Sequence, residues 1–358
     1  MNQNRNNINS IQALRGIAAT MVMFCHFSFL LDSYGYTGTN LFQYGAYGVD
    51  IFFIISGFII TYTTKNKKPG SNTSVNFIKN RARRIFPLYY IILILFVVFA
   101  GGMSIFHYHN KVENLISAIF FIPILPANAP NYIDVLEIYG VRWTLMYEIY
   151  FYLVMAFCLN FKYRWVSFFS WFALSLLVIP FLILGRVNFD TTLQLTDNGY
   201  LNLITNPISI EFLIGVIIAL SFEKIQKIHF SLKSTITIFS VFLIVYLFLL
   251  YKGLTRIDMQ VSVIAGLLFL IIILNNDFLS KITPRFLLFL GDISYALYLI
   301  HLGMNYMINR RIEDTIIGYG LIKFITYSLL SILLASILHK YIEKPFMKKK
   351  KANTLINE

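Results

Sequence analysis

An arginine and a histidine stand eleven residues apart in LRGIAATMVMFCHF, residues 14 to 27, a run otherwise apolar enough to enter a bilayer. Lipid penalises both side chains, so each requires a partner or a water-filled cavity. On an α-helix eleven residues turn through about 1100°, so Arg15 and His26 share one face, about 16 Å apart along the axis. Three more ionisable side chains fall at the counted depth of His26 on other apolar runs. They are Asp50 in GAYGVDIFFIISGFII, Glu148 in VRWTLMYEIYFYL and His301 in LGDISYALYLIHLGM. A histidine beside a carboxylate activates a hydroxyl: the acid fixes the imidazole tautomer and favours the imidazolium that forms on proton uptake. Asp50 is the first candidate for that acid and Glu148 the second. The plain alternative for each is a hydrogen bond between helices, and His301 could simply bond a tyrosine such as Tyr298. Asp292, Glu211 and Asp258 lie near run ends and read as solvated or capping residues.

The stretch KNRARRIFPLYY supplies a second chemistry. Guanidinium groups grip phosphate oxygens bidentately, so Arg81 and Arg84 suit a phosphate-bearing ligand. The same positives also satisfy the orientation rule for membrane proteins. There is no HExxH and no Cys/His cluster, so no metal site is expected. Cys25 and Cys158 fall inside apolar runs and read as small buried hydrophobes.

These side chains must be positioned by membrane helices. Hydrophobic residues make up 57% of the 358 and charged residues 13%, against roughly 25% charged in soluble domains. The chain reads as an all-α polytopic membrane protein with ten spans, at roughly 14–31, 45–63, 85–101, 141–160, 166–185, 207–222, 234–251, 258–275, 288–308 and 319–339. With the N-terminus in the cytoplasm, 22 of the 30 Lys and Arg residues fall on the inner side and 7 on the outer, Lys323 lying within a span. That bias puts both termini in the cytoplasm and accounts for the net charge of +13 without nucleic acid. LISAIFFIPILP, residues 115–126, is short and holds two prolines, so it reads as an interfacial or re-entrant piece. Residues 1–345 form the transmembrane domain and 346–358 a basic, polar cytoplasmic tail. Neither a cleaved signal peptide nor a lipidation motif is expected.

In six ordered blocks the chain resembles the bacterial membrane acyltransferase-3 family. SIQALRGIAATMVMFCHF carries that family's spaced arginine and histidine. GAYGVDIFFIISGFII carries Asp50 and Ser56-Gly57-Phe58, RARRIFPLYY the Arg-x-x-Arg pair, and WTLMYEIYFYL the element with Glu148. LGDISYALYLIHL and YIEKP complete the series. The first, second and fourth blocks are similar to the exopolysaccharide and O-antigen O-acetyltransferase branch. Some relatives carry a further span and a hydrolase-like domain, which this chain is expected to do without.

The resemblance implies transfer of an acyl group, most often acetyl, from cytoplasmic acyl-coenzyme A to a hydroxyl of an exported glycan or its lipid-linked precursor. It places the protein in the bacterial cytoplasmic membrane, with polysaccharide-biosynthesis proteins as possible partners and no tightly bound cofactor. Arg15, Arg81 and Arg84 would hold the nucleotide and pyrophosphate, and His26 would act as general base with Asp50 or Glu148. Ser56 and Gly57 would serve an oxyanion or a helix contact, and Trp143, Tyr147, Tyr298 and His301 would line the site. Direct transfer and an acyl-histidine relay both fit. The rival from another class is a transporter or flippase, which also needs polar groups inside a bundle.

Overall fold

The computed structural model describes residues 8–34, 37–99, 102–125, 128–134, 139–226, 232–252, 258–312 and 320–348. His229 and the tail from residue 349 lie outside them. All regular structure among the described residues is helical. The long elements are α1 (Asn9–Phe27), α2 (Gly48–Thr64), α3 (Ser71–Phe99), α4 (His109–Phe120) and α5 (Arg142–Cys158). They continue as α6 (Arg164–Leu184), α7 (Ser209–Ile225), α8 (Leu232–Tyr251), α9 (Met259–Leu274), α10 (Asn276–Ile282), α11 (Arg285–Ile312) and α12 (Gly320–Leu338).

Among the described residues, eight helices are long and apolar enough to cross a membrane, and α9 with α10, bent by 76°, makes a ninth. The remaining expected span is α5. Its 17 residues rise about 26 Å, just short of a hydrocarbon core roughly 30 Å thick. The segment around 115–126 does not form a long helix. α4 has 12 residues and ends at Phe121, whose φ of 56° turns the chain out of the helix. Ile124 N–H then donates to Tyr132 O at 2.7 Å.

One expected connection is helical instead. The basic stretch stands on the N-terminal half of α3, because residues 71–84 contain neither glycine nor proline and helix propagates out of the apolar run. Pro87 lies inside α3 and has no N–H, which leaves the Arg83 carbonyl without its helical donor.

Glycines set two close helix crossings. A Cβ on Gly291 of α11 would lie 2.0 Å from the Gln12 carbonyl of α1, and one on Gly16 would lie 2.7 Å from Gly291 N. A Cβ on Gly57 of α2 would lie 2.1 Å from Phe212 O of α7, and one on Gly215 2.0 Å from Ile54 O. Without side chains at these points the backbones come into contact, as small residues allow between helices in lipid.

Candidate active site

A pocket of about 770 Å³, counting its mouth, opens between α1, α2, α3, α5 and α11. Arg15 enters from α1, Phe52 and Ser56 from α2, Arg81 and Arg84 from α3, Glu148 and Tyr152 from α5, and Ser294, Tyr295 and Tyr298 from α11. Among the described residues, none of the three arginines has a carboxylate within ion-pair distance of 4.0 Å. Glu148 is near enough for its charge to act on Arg15, as are Arg84 and Glu343. Ser56 Oγ donates to Glu148 Oε1 at 3.0 Å, and the Tyr152 hydroxyl donates to the same oxygen. Arg81 stacks its guanidinium over the Phe77 and Tyr152 rings at 5.5 and 5.3 Å. Three cations against Glu148 in the lining and Glu343 beyond it leave this pocket electropositive, a setting that suits an anion.

His26 stands farther along α1. Its Nδ1 lies 2.9 Å from Val22 O and 3.3 Å from His301 Nε2. His301 is 0% exposed, with Nδ1 3.2 Å from Leu297 O. A carbonyl only accepts, so each Nδ1 that bonds one carries a proton. His301 Nε2 is then the acceptor for His26 Nδ1–H, and the lone pair of His26 sits on Nε2. The His301 ring packs on Tyr298 at 5.7 Å, and Thr144 Oγ1 lies 2.8 Å from Tyr298 Oη. Ser294, Tyr298 and His301 follow at intervals of four and three on one face of α11, so a single stripe joins the arginine pocket to the histidines.

The single level expected for the four ionisable groups is not what the helices build. Glu148 shares its pocket with the arginines. Counting depth from guessed span ends fails here because the helices differ in length and start. Asp50 is 2% exposed on the opposite side of α2 from the pocket. At 100° per residue Val49, Phe52, Ser56 and Ile59 share one face, while Asp50, Ile54 and Gly57 share the other. That second face packs on α7, and the charge of Asp50 acts on Tyr246 of α8 together with that of Glu211. Gly57 is a helix contact. Trp143 and Tyr147 form an aromatic layer behind Phe53, with ring centroids at 6.4 and 6.0 Å from it.

Several residues escaped the sequence reading. Tyr152, four residues after Glu148, is its hydrogen-bond donor, and that spacing was the available signal. Arg142, counted as an outer-face charge, is 0% exposed. It donates to Asn114 Oδ1 at 2.8 Å and Ser117 Oγ at 3.3 Å, and so ties α4 to α5. Glu343 is buried on a π-helical turn after α12 and pairs with His339 at 2.8 Å. Glu211, read as solvated or capping, is buried and accepts from Ser262 Oγ at 3.1 Å.

Comparison with known proteins places this arrangement. An acyltransferase-domain family model matches residues 8–340. The chain is 33% identical over 267 residues to the exopolysaccharide production protein ExoZ of Rhizobium meliloti (strain 1021), covering 73% of this chain and 76% of that protein. It is 28% identical over 237 residues to nodulation protein 10 of Rhizobium leguminosarum bv. viciae, covering 62% of each. No solved structure matches. With its apolar helices and a family match over nearly its whole length, the chain belongs to the acyltransferase-3 family and is a multi-pass membrane O-acyltransferase.

Proposed function

We propose that the chain moves an acyl group, acetyl above all, from acyl-coenzyme A to a hydroxyl of an exported glycan or its lipid-linked precursor. The observation that carries this reading is the pocket lined by three arginines, none of which makes an ion pair among the described residues. Coenzyme A brings phosphates, and guanidinium groups hold phosphates well. A relative named for exopolysaccharide production supports a glycan acceptor. In this reading both termini and the arginine end face the cytoplasm of a bacterial cell, where the donor is found. The pantetheine arm runs along the α11 stripe toward His26. There His26 Nε2 takes the proton of the acceptor hydroxyl while its oxygen attacks the thioester carbon. Glu148 offsets part of the cationic charge and is held by Ser56 and Tyr152. Because Ser56 directs its proton to Glu148, it serves to fix that carboxylate and leaves the oxyanion to other donors. Polysaccharide-biosynthesis proteins would deliver the acceptor.

The test uses the purified full-length chain, radiolabelled acetyl-coenzyme A, and glycan prepared from cells lacking the gene. Transfer of label to glycan is the expected outcome. His26→Ala should reduce it at least about 100-fold, within the usual contribution of a general base, with coenzyme A binding retained. A His26→Ala protein that keeps more than roughly a tenth of the activity removes the general base, since that loss is under 1.4 kcal/mol. Transport of the glycan without coenzyme A release would replace the reading by a flippase.

A further inference from the structure

We infer that His301 is the positioning residue for His26, a neutral imidazole in the place where histidine bases usually have a carboxylate. The inference rests on the O-acyltransferase reading above. Its observations are independent of the arginine pocket. His301 is completely buried. Its Nδ1 faces Leu297 O at 3.2 Å and its Nε2 faces His26 Nδ1 at 3.3 Å. The rings lie 5.0 Å apart, tilted by 55°. His26, by contrast, is exposed, so one ring is locked in the packing and the other meets the substrate.

The lock selects a tautomer. Leu297 O draws the His301 proton to Nδ1, which leaves the Nε2 lone pair to accept from His26 Nδ1–H. Val22 O, 2.9 Å from the same nitrogen, accepts from it too. Both contacts require the His26 proton on Nδ1 and put its basic lone pair on Nε2.

During transfer the acceptor O–H bond breaks and its proton goes to His26 Nε2. The acceptor oxygen bonds the thioester carbon, the C–S bond breaks, and sulfur leaves with the proton that Nε2 carried. The transient imidazolium keeps its Nδ1–H on His301 Nε2 and Val22 O throughout. His301 gains and loses no proton. It holds the ring at one angle and accepts from an N–H that becomes a stronger donor once the ring is charged.

The helix register supports this assignment. Gly16 and Gly291 touch at the α1–α11 crossing, and the two histidines each stand ten residues farther on. The helices therefore run parallel and in step from the crossing to the pair, so packing at one point fixes contact at the other.

The experiment compares His301→Leu, His301→Asn and His301→Gln in the full chain, with acetyl-coenzyme A and the glycan from gene-deleted cells. Coenzyme A affinity and thermal unfolding are measured on every variant. Leu removes both polar atoms. Asn carries a donor near Nδ1 for Leu297 O but falls short of His26, whereas Gln carries an acceptor near Nε2. The expected result is a kcat lowered about 100-fold by Leu and by Asn, recovered to within roughly tenfold by Gln, with coenzyme A affinity unchanged. A folded Leu variant with kcat within about threefold of wild type, or a Gln variant no better than Leu, overturns the pairing. Loss that follows unfolding in all three variants also overturns it, since His301 is then a packing residue only. If wild type transfers acetyl and His26→Ala does not, such a result refutes His301 alone. If wild type transfers nothing, the parent reading falls and the pair with it.

Discussion

The two ends of the α1–α11 pair are built on opposite electrical principles. Near the Gly16–Gly291 crossing stand Arg15 of α1 and Arg81 and Arg84 of α3, none with an ion pair among the described residues, around the hydrogen-bonded Glu148. Ten residues on, α1 and α11 present two imidazoles linked through ring nitrogen and backbone carbonyl. An anion-holding end gains from an uncompensated charge. A proton-transfer end gains from a fixed tautomer near neutrality. The fold separates the two by helix length, about 15 Å for ten residues, so α1 contributes to both ends while α3 completes the one and α11 the other.

The contrast can be broken from the largest effect downward. Gly291→Leu should damage both ends together, because its side chain would have to displace the Gln12 carbonyl, which would lie 2.0 Å from the new Cβ. Overpacking of this kind costs at least about 1–3 kcal/mol. The expected outcome is a lower unfolding temperature with donor binding and turnover both lost, and a variant that loses only one would show the ends to be set independently. Arg84→Ala should separate them. We expect KM for acetyl-coenzyme A to rise about 10- to 100-fold, as when a hydrogen bond to a charged group worth roughly 1.5–3 kcal/mol is removed, with kcat nearly unchanged. A fall in kcat at constant KM would place that arginine in the transition state instead. The smallest effect is expected from Asp50→Asn. Asp50 lies on the face of α2 that packs on α7, away from the pocket and with Tyr246 of α8 within reach of its charge, so kcat should stay within about threefold while the unfolding temperature shifts, a split read directly from the kinetics. A large loss of kcat in a stable Asp50→Asn protein would join that face of α2 to the chemistry.

Much of this was legible in the amino acids. The spans follow from long apolar runs, whose only stable form in lipid is helical. The shared face of Arg15 and His26 follows from their spacing, and Arg81 with Arg84 from the phosphate-binding habit of paired guanidiniums. What spacing cannot convey is the rotation of one helix against another. Asp50 and Ser56 are six residues apart and look equally placed in GVDIFFIISG, yet the glycine contact at Gly57 turns Asp50 away and Ser56 toward the pocket. Glu148 was set beside the histidine because each span was counted from its own presumed edge. Arg142 looked like a surface charge because no pattern announces that Asn114 and Ser117 wait for it on a neighbouring short helix.

The in-step run from Gly16 to His26 has an evolutionary corollary. Within it only the exposed Ile17 should tolerate free exchange, the buried Ala18, Ala19, Val22 and Met23 being packed, and its count should not change at all. One inserted residue would swing the imidazole by about 100° and lift it by about 1.5 Å. The stretch therefore works as a spacer of set length, closed to insertion or deletion.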